Sequence, residues 1–146
     1  MSTIGAFGIS AAVPPGWDAR FFRHESGEPT LHLASFPLPP SDGEFGTRAT
    51  GHMRAGAIFL ALTEYQTGTG VEAGRGIFAG RVPRSLEPQA FSDRTLLRPR
   101  PGQRGLQRFF SLGGRAFCLY AVVSGGAGSD ELVAAAGTAL RSLRVA

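Results

Sequence analysis

Residues 107–123, QRFFSLGGRAFCLYAVV, decide the fold. Two runs of aromatic and branched residues flank Gly113-Gly114, and paired glycines supply the positive φ angles of a two-residue hairpin turn. Such a turn fixes the register: Leu112 faces Arg115, Phe110 faces Phe117, and Arg108 faces Leu119. Neighbouring strand residues point to opposite sides. One face therefore carries Phe110, Leu112, Phe117, Leu119 and Ala121, and the other Phe109, Ala116, Cys118, Tyr120 and Val122. Both faces are apolar, so each needs a cover.

The chain that follows supplies one cover. Ser129 is expected to cap a helix, with Asp130 and Glu131 beside its positive end. Leu132, Val133, Ala136, Leu140 and Leu143 recur at helical spacing, and Arg141 and Arg144 suit the other end. This amphipathic helix should lie across one sheet face. No second helix of that quality covers the other face. The segment from Phe45 to Met53 is expected to cover part of it and a partner chain the rest.

Upstream, AAVPPGWDARFFRH (residues 11–24) reads as a strand corner. A strand from Phe7 to Val13 breaks at Pro14-Pro15-Gly16, because proline has no N–H for the ladder. A second strand spans Ala19 to His24 and a third Thr30 to Phe36. Trp17 is expected to pack over the sheet edge left open by the corner, with ligand stacking as the alternative. Residues 41–56 read as a loop with one helical turn. Ala57 to Gln66 reads as a strand with Ile58, Leu60 and Leu62 on one face. The glycine-rich loop 67–76, TGTGVEAGRG, holds a G-x-G but no dinucleotide fingerprint. Short strands are expected near Ile77 to Val82 and Thr95 to Leu97. The expected fold is thus α+β: one domain, residues 1–146, with a twisted antiparallel sheet of five to seven strands and a C-terminal helix on one face.

Composition narrows the function. With 42% apolar residues the chain can form a packed core. All 15 cationic residues are arginine, as a GC-rich coding sequence would give, and this excludes lysine Schiff-base and P-loop chemistry. The start, MSTIGAFGISAAVPPGW, does not read as a secretory signal, and the longest apolar runs are too short to cross a bilayer. A soluble cytoplasmic protein without membrane insertion is expected. Cys118, the one cysteine, reads as a buried inert thiol and rules out an internal disulfide.

A strand ending in P-x-G-W (Pro14, Pro15, Gly16, Trp17), middle antiparallel strands, the aromatic hairpin Phe109 to Tyr120 and the helix Asp130 to Leu143 together resemble the PsbP-type fold. That superfamily includes the extrinsic photosystem II protein, a Ran-binding nuclear import factor, mycobacterial lipoproteins and the Eag-type effector-loading chaperones of bacterial secretion systems. The resemblance covers roughly the first fifth and last quarter of the chain. The glycine-rich middle and the lack of a lipobox or signal set it apart from the envelope and photosynthetic members. The resemblance implies a non-enzymatic binding or assembly domain.

Other chemistry has weaker support. His24, His32 and His52 fit no metal signature, although His24 and His32 are able to meet across neighbouring strands beside Asp18 or Glu64. No catalytic residue, metal or cofactor is assigned. Glu64 is expected at a wet edge, the alternative being an inward carboxylate with an arginine partner. RPRPGQRG (residues 98–105) concentrates Arg98, Arg100 and Arg104. It lacks the R-G-R-P core of an AT-hook, so specific nucleic-acid binding is not expected, and the loop reads as a solvated surface or a dock for an acidic protein. The expected function is protein binding, as an adaptor, assembly subunit or effector-loading chaperone. Phe109, Tyr120 and Val122 on the second sheet face, with Trp17, Arg98, Arg100 and Arg104, are the candidate contacts, and another protein or a second copy is the partner. The alternative is a small-molecule or catalytic domain with a cavity between sheet and helix.

Overall fold

The computed structural model describes residues 2–23, 25, 27–68 and 70–146. The hairpin forms with the expected register: β6 (Gln103–Leu112) and β7 (Arg115–Ser124) pair Leu112 with Arg115, Phe110 with Phe117 and Arg108 with Leu119. Gly113 and Gly114 both carry positive φ, 60° and 73°. Upstream lie β1 (Ser2–Ala6), β2 (Ile9–Val13), β3 (Asp18–Arg23), β4 (Pro29–Ala34), a one-turn helix α1 (Thr47–Gly51) and β5 (Ile58–Tyr65). Helix α2 (Ser129–Arg141) and a short β8 (Arg144–Val145) follow the hairpin. The described strands form two antiparallel sheets, one ordered β3-β4-β5-β7-β6 and the other β1-β2-β8. The fold is α+β.

Several expectations need correction. The first strand is a hairpin: Ser2 pairs with Val13 and Ala6 with Ile9, and the turn is Phe7-Gly8. Phe7 sits at φ 56°, where a phenylalanine is strained. No Asn-Gly or Gly-Gly pair announces this turn, so the sequence hides it. The strands expected at residues 77–82 and 95–97 are absent, and 3-10 turns occupy Gly76–Ala79, Pro88–Ala90 and Asp93–Thr95 instead. Pro83 and Pro88 deny this segment ladder bonds. It still shields the outer edge of β6, where Ser111 N–H donates to the Gly80 carbonyl at 3.1 Å and Ser92 and Gly105 exchange two bonds at 2.8 Å. Finally, Gly128, at φ 83°, is the residue preceding α2, and Ser129 opens the helix without capping it.

The two faces of the five-stranded sheet are covered differently. Val133, Ala136 and Leu140 of α2 pack with Ile9, Ala11 and Val13 of β2 onto Phe110, Phe117, Leu119, Leu31, Leu60 and Leu62. Phe110 and Phe117 stack at 5.5 Å. Trp17 is half-buried against this same core, as expected at the corner, and its N–H donates to the Pro14 carbonyl at 3.0 Å. On the second face Leu38, Ala49, Phe36, Phe45, Met53 and Leu96 cover Ala34, Phe59, Tyr120 and Val122. The cover depends on Gly46, whose φ is 70°. A Cβ there would lie 2.0 Å from the Phe59 ring.

Candidate functional site

The cover of the second face is incomplete, and the gap is the candidate site. Register alone places Phe22, Thr30, Thr63 and Cys118 side by side on this face. The loop from Asp42 to Thr47 closes one flank, and Leu97 with Tyr65 closes the other. Between them lies an open groove of about 680 Å³, with Phe22, Phe45, Tyr65 and Leu97 as its apolar lining and Arg23, Glu25, Asp42 and Glu44 as its polar one. Leu97 is 56% exposed, a large apolar side chain left in water beside the groove.

The flanks are built locally. Asp42 organises the loop: Oδ1 accepts from the N–H groups of Gly43 and Arg48 at 2.8 and 3.0 Å, and Oδ2 from Ala49 at 2.9 Å. It thereby satisfies α1 amides that the residue preceding the helix, a glycine, leaves open. The Glu44 carbonyl faces three side chains of the sheet, Thr30 and Thr63 hydroxyls at 3.1 and 3.0 Å and His32 Nε2 at 3.1 Å. Phe45 meets Tyr120 edge to face at 6.0 Å. On the other flank Leu97 N–H donates to the Tyr120 hydroxyl at 3.0 Å. Arg23 lies 4.6 Å over the Phe7 ring, a cation–π contact that holds its guanidinium at one end of the groove.

Burial governs the ionisation of Tyr65, which lines the groove, and of Cys118 and Tyr120, which lie buried outside its lining. Burial, and then the neighbouring Cys118, pushes Tyr65 up to about 12. Burial raises Cys118, against hydrogen bonds from Gln107 and Tyr65 that favour its thiolate. Burial also raises Tyr120. All three stay protonated at neutral pH. Cys118 is fully buried, as the sequence suggested. Desolvation lowers His32, opposed by the Glu44 carbonyl and the charge of Asp42.

The sequence-derived contacts fall in several places. Tyr120 is 3% exposed and Val122 is fully buried. The chain itself covers them, which corrects the expectation of a bare apolar face. Phe109 is half-buried in a ring cluster with Tyr65 at 6.2 Å and Phe78 at 5.6 Å. Arg98, the residue after Leu97, and Arg100 are exposed, and Arg100 and Arg104 line a separate cleft of about 560 Å³. Trp17 packs on the core of the opposite face, away from the groove. Glu64 is inward, not at a wet edge, and Arg115 grips it at 2.9 and 2.6 Å. The space under α2 is filled by core side chains, and the second-face groove has no α2 residue in its lining. The pairing of His24 with His32 lies outside the described residues, and among these no three His, Cys, Asp or Glu side chains converge as a metal would need.

Sequence reading missed Phe22, Tyr65 and Leu97. Strand alternation puts Phe22 and Tyr65 on the second face, a signal within reach. Nothing local marks Leu97, because its place depends on a loop folded back onto Tyr120. Comparison with protein-family models, with curated proteins and with solved structures finds no match.

Proposed function

We propose that the chain is a protein-binding domain of the PsbP type, an adaptor, assembly subunit or effector-loading chaperone, and that its partner occupies the second-face groove. One observation carries the reading. An open groove on the sheet presents aromatic and aliphatic side chains inside a charged rim, the anatomy of a protein interface with an apolar centre. The exposed Arg98, next in the chain to the groove residue Leu97, adds positive charge beside it and favours an acidic partner segment. The volume also fits a small ligand, which is the second reading. A small-molecule site, however, encloses most of its ligand, and this groove lies open along one side.

The test uses Leu97, whose exposed side chain is replaceable without disturbing the core. Wild type and Leu97→Asp are used as baits in extracts of the native host, and light scattering checks for a second copy. The expected result is a partner retained by wild type and lost by Leu97→Asp, with unchanged circular dichroism. Equal retention by both would reject the groove as the binding surface.

A further inference from the structure

His32 sits in the middle of β4, every residue of which is buried. It pairs with Arg20 on β3 and Ala61 on β5. Its ring lies between Phe22, at 4.8 Å, and Phe59, at 5.0 Å. A carbonyl only accepts, so the Nε2 that meets the Glu44 carbonyl carries the proton and Nδ1 is a bare lone pair. That Nδ1 is buried and has no hydrogen-bond partner. The hydroxyls of Thr30 and Thr63 lie 2.9 Å apart, so one donates to the Glu44 carbonyl and the other to its neighbour. The groove's Glu44 flank is thus fastened to the sheet through a node that includes the His32 Nε2–H. A second ring proton, on Nδ1, would enter a buried position that offers it no hydrogen-bond partner.

We propose that His32 is a proton-operated latch: protonating its ring frees the groove flank of residues 42–49 and releases the bound partner. This inference rests on the groove being the binding site. The charged groups around the ring leave the new proton without an acceptor. From β3, the register partner Arg20 offers no acceptor, and Asp18 lies 3.9 Å from Arg20 and also accepts from Leu38 N–H. From the loop, Asp42 is the attractive charge, but its oxygens hold the Gly43, Arg48 and Ala49 amides. The Glu44 carboxylate lies near enough to Tyr65 to raise it. From β5 come Phe59, Ala61 and Thr63, none of them charged. An imidazolium must therefore leave its slot, or draw Asp42 away from α1. Either movement undoes the flank. Burial holds the ring below its ordinary 6.5, so the latch opens on the acid side of that value.

The test needs no ligand. Amide hydrogen exchange is followed in the full chain from about pH 7.5 to about pH 5, each rate divided by its intrinsic chemical rate, while NMR follows the His32 ring. Protection of Arg48, Ala49 and Thr50 should fall by about tenfold or more in step with the ring titration, while β5 and β7 amides keep theirs. His32→Gln retains a donor for the Glu44 carbonyl and should lose the pH dependence. If that variant does not fold, the wild-type comparison decides alone. Unchanged protection while the ring titrates would overturn the latch, as would β5 and β7 opening at the same midpoint, which is global unfolding. A failed latch leaves the groove's binding role standing, and a groove that binds nothing leaves the latch measurable.

Discussion

Glu64 and Arg115 form a nearly buried ion pair, with side chains 8% and 22% exposed, on the face that α2 covers. Removing one partner strands a charge, so Arg115→Met should cost on the order of 3 kcal/mol, the lower end for a buried pair because water still reaches the guanidinium. The double variant with Glu64→Leu should recover most of that loss in urea titrations, and failure to recover would contradict the pairing. His32 gives a pH signature. Its folded pKa is depressed, so the unfolded chain binds more protons between that value and 6.5. The stability from neutral His32 is complete above 6.5 and is lost as pH falls through the window. Wild type should therefore lose more stability than His32→Gln between about pH 7.5 and about pH 5.5. Equal losses would mean that His32 is not the responsible group. Cys118, buried and raised, should react with a thiol reagent only after denaturation. Residue types alone gave the inert thiol. They left Glu64 undecided between wet edge and buried pair, because Arg115 is 51 positions away and only the sheet brings it near.

Among the elements, the hairpin and α2 were legible because both are written in local pattern, period two around a Gly-Gly turn and period near 3.6 after it. Phe117 sits where that pattern put it, so Phe117→Ala should cost about 3–5 kcal/mol, and a loss under about 1 kcal/mol would remove it from the core. The hairpin of β1 and β2 was not legible, because a phenylalanine takes a left-handed position that normally calls for glycine or asparagine. Nor were the 3-10 turns along β6, whose apolar residues suggest strands that proline forbids. The cover of the second face makes its own prediction. Gly46→Ala combines the left-handed penalty with a collision against Phe59, roughly 2–5 kcal/mol together. Gly102, at φ 77° with open space around it, is the control. Gly102→Ala should cost only about 1–2 kcal/mol, and equal losses at both positions would show that Phe59 does not press on Gly46.

At the scale of the molecule, the sequence showed that two apolar faces need two covers and named the segment from Phe45 to Met53 for part of the second. It did not show how completely residues 36–53 and 96 would close over Tyr120. That closure joins segments far apart in the chain and hinges on a loop with no periodic signal. Tyr120→Asp should accordingly unfold the domain rather than merely prevent association. The triple change of Arg98, Arg100 and Arg104 to Gln should leave stability nearly unchanged and weaken only contact with an acidic partner. The central claim is that a protein segment lies in the second-face groove, and site-specific photocrosslinking in the native host tests it most directly. A photoreactive side chain is placed at Leu97 and, as control, at the exposed Glu131 on α2. The account predicts a discrete protein adduct from position 97 that vanishes when Phe22→Asp is added and never appears from position 131. Adducts at both positions, or an adduct at 97 indifferent to Phe22→Asp, would contradict it.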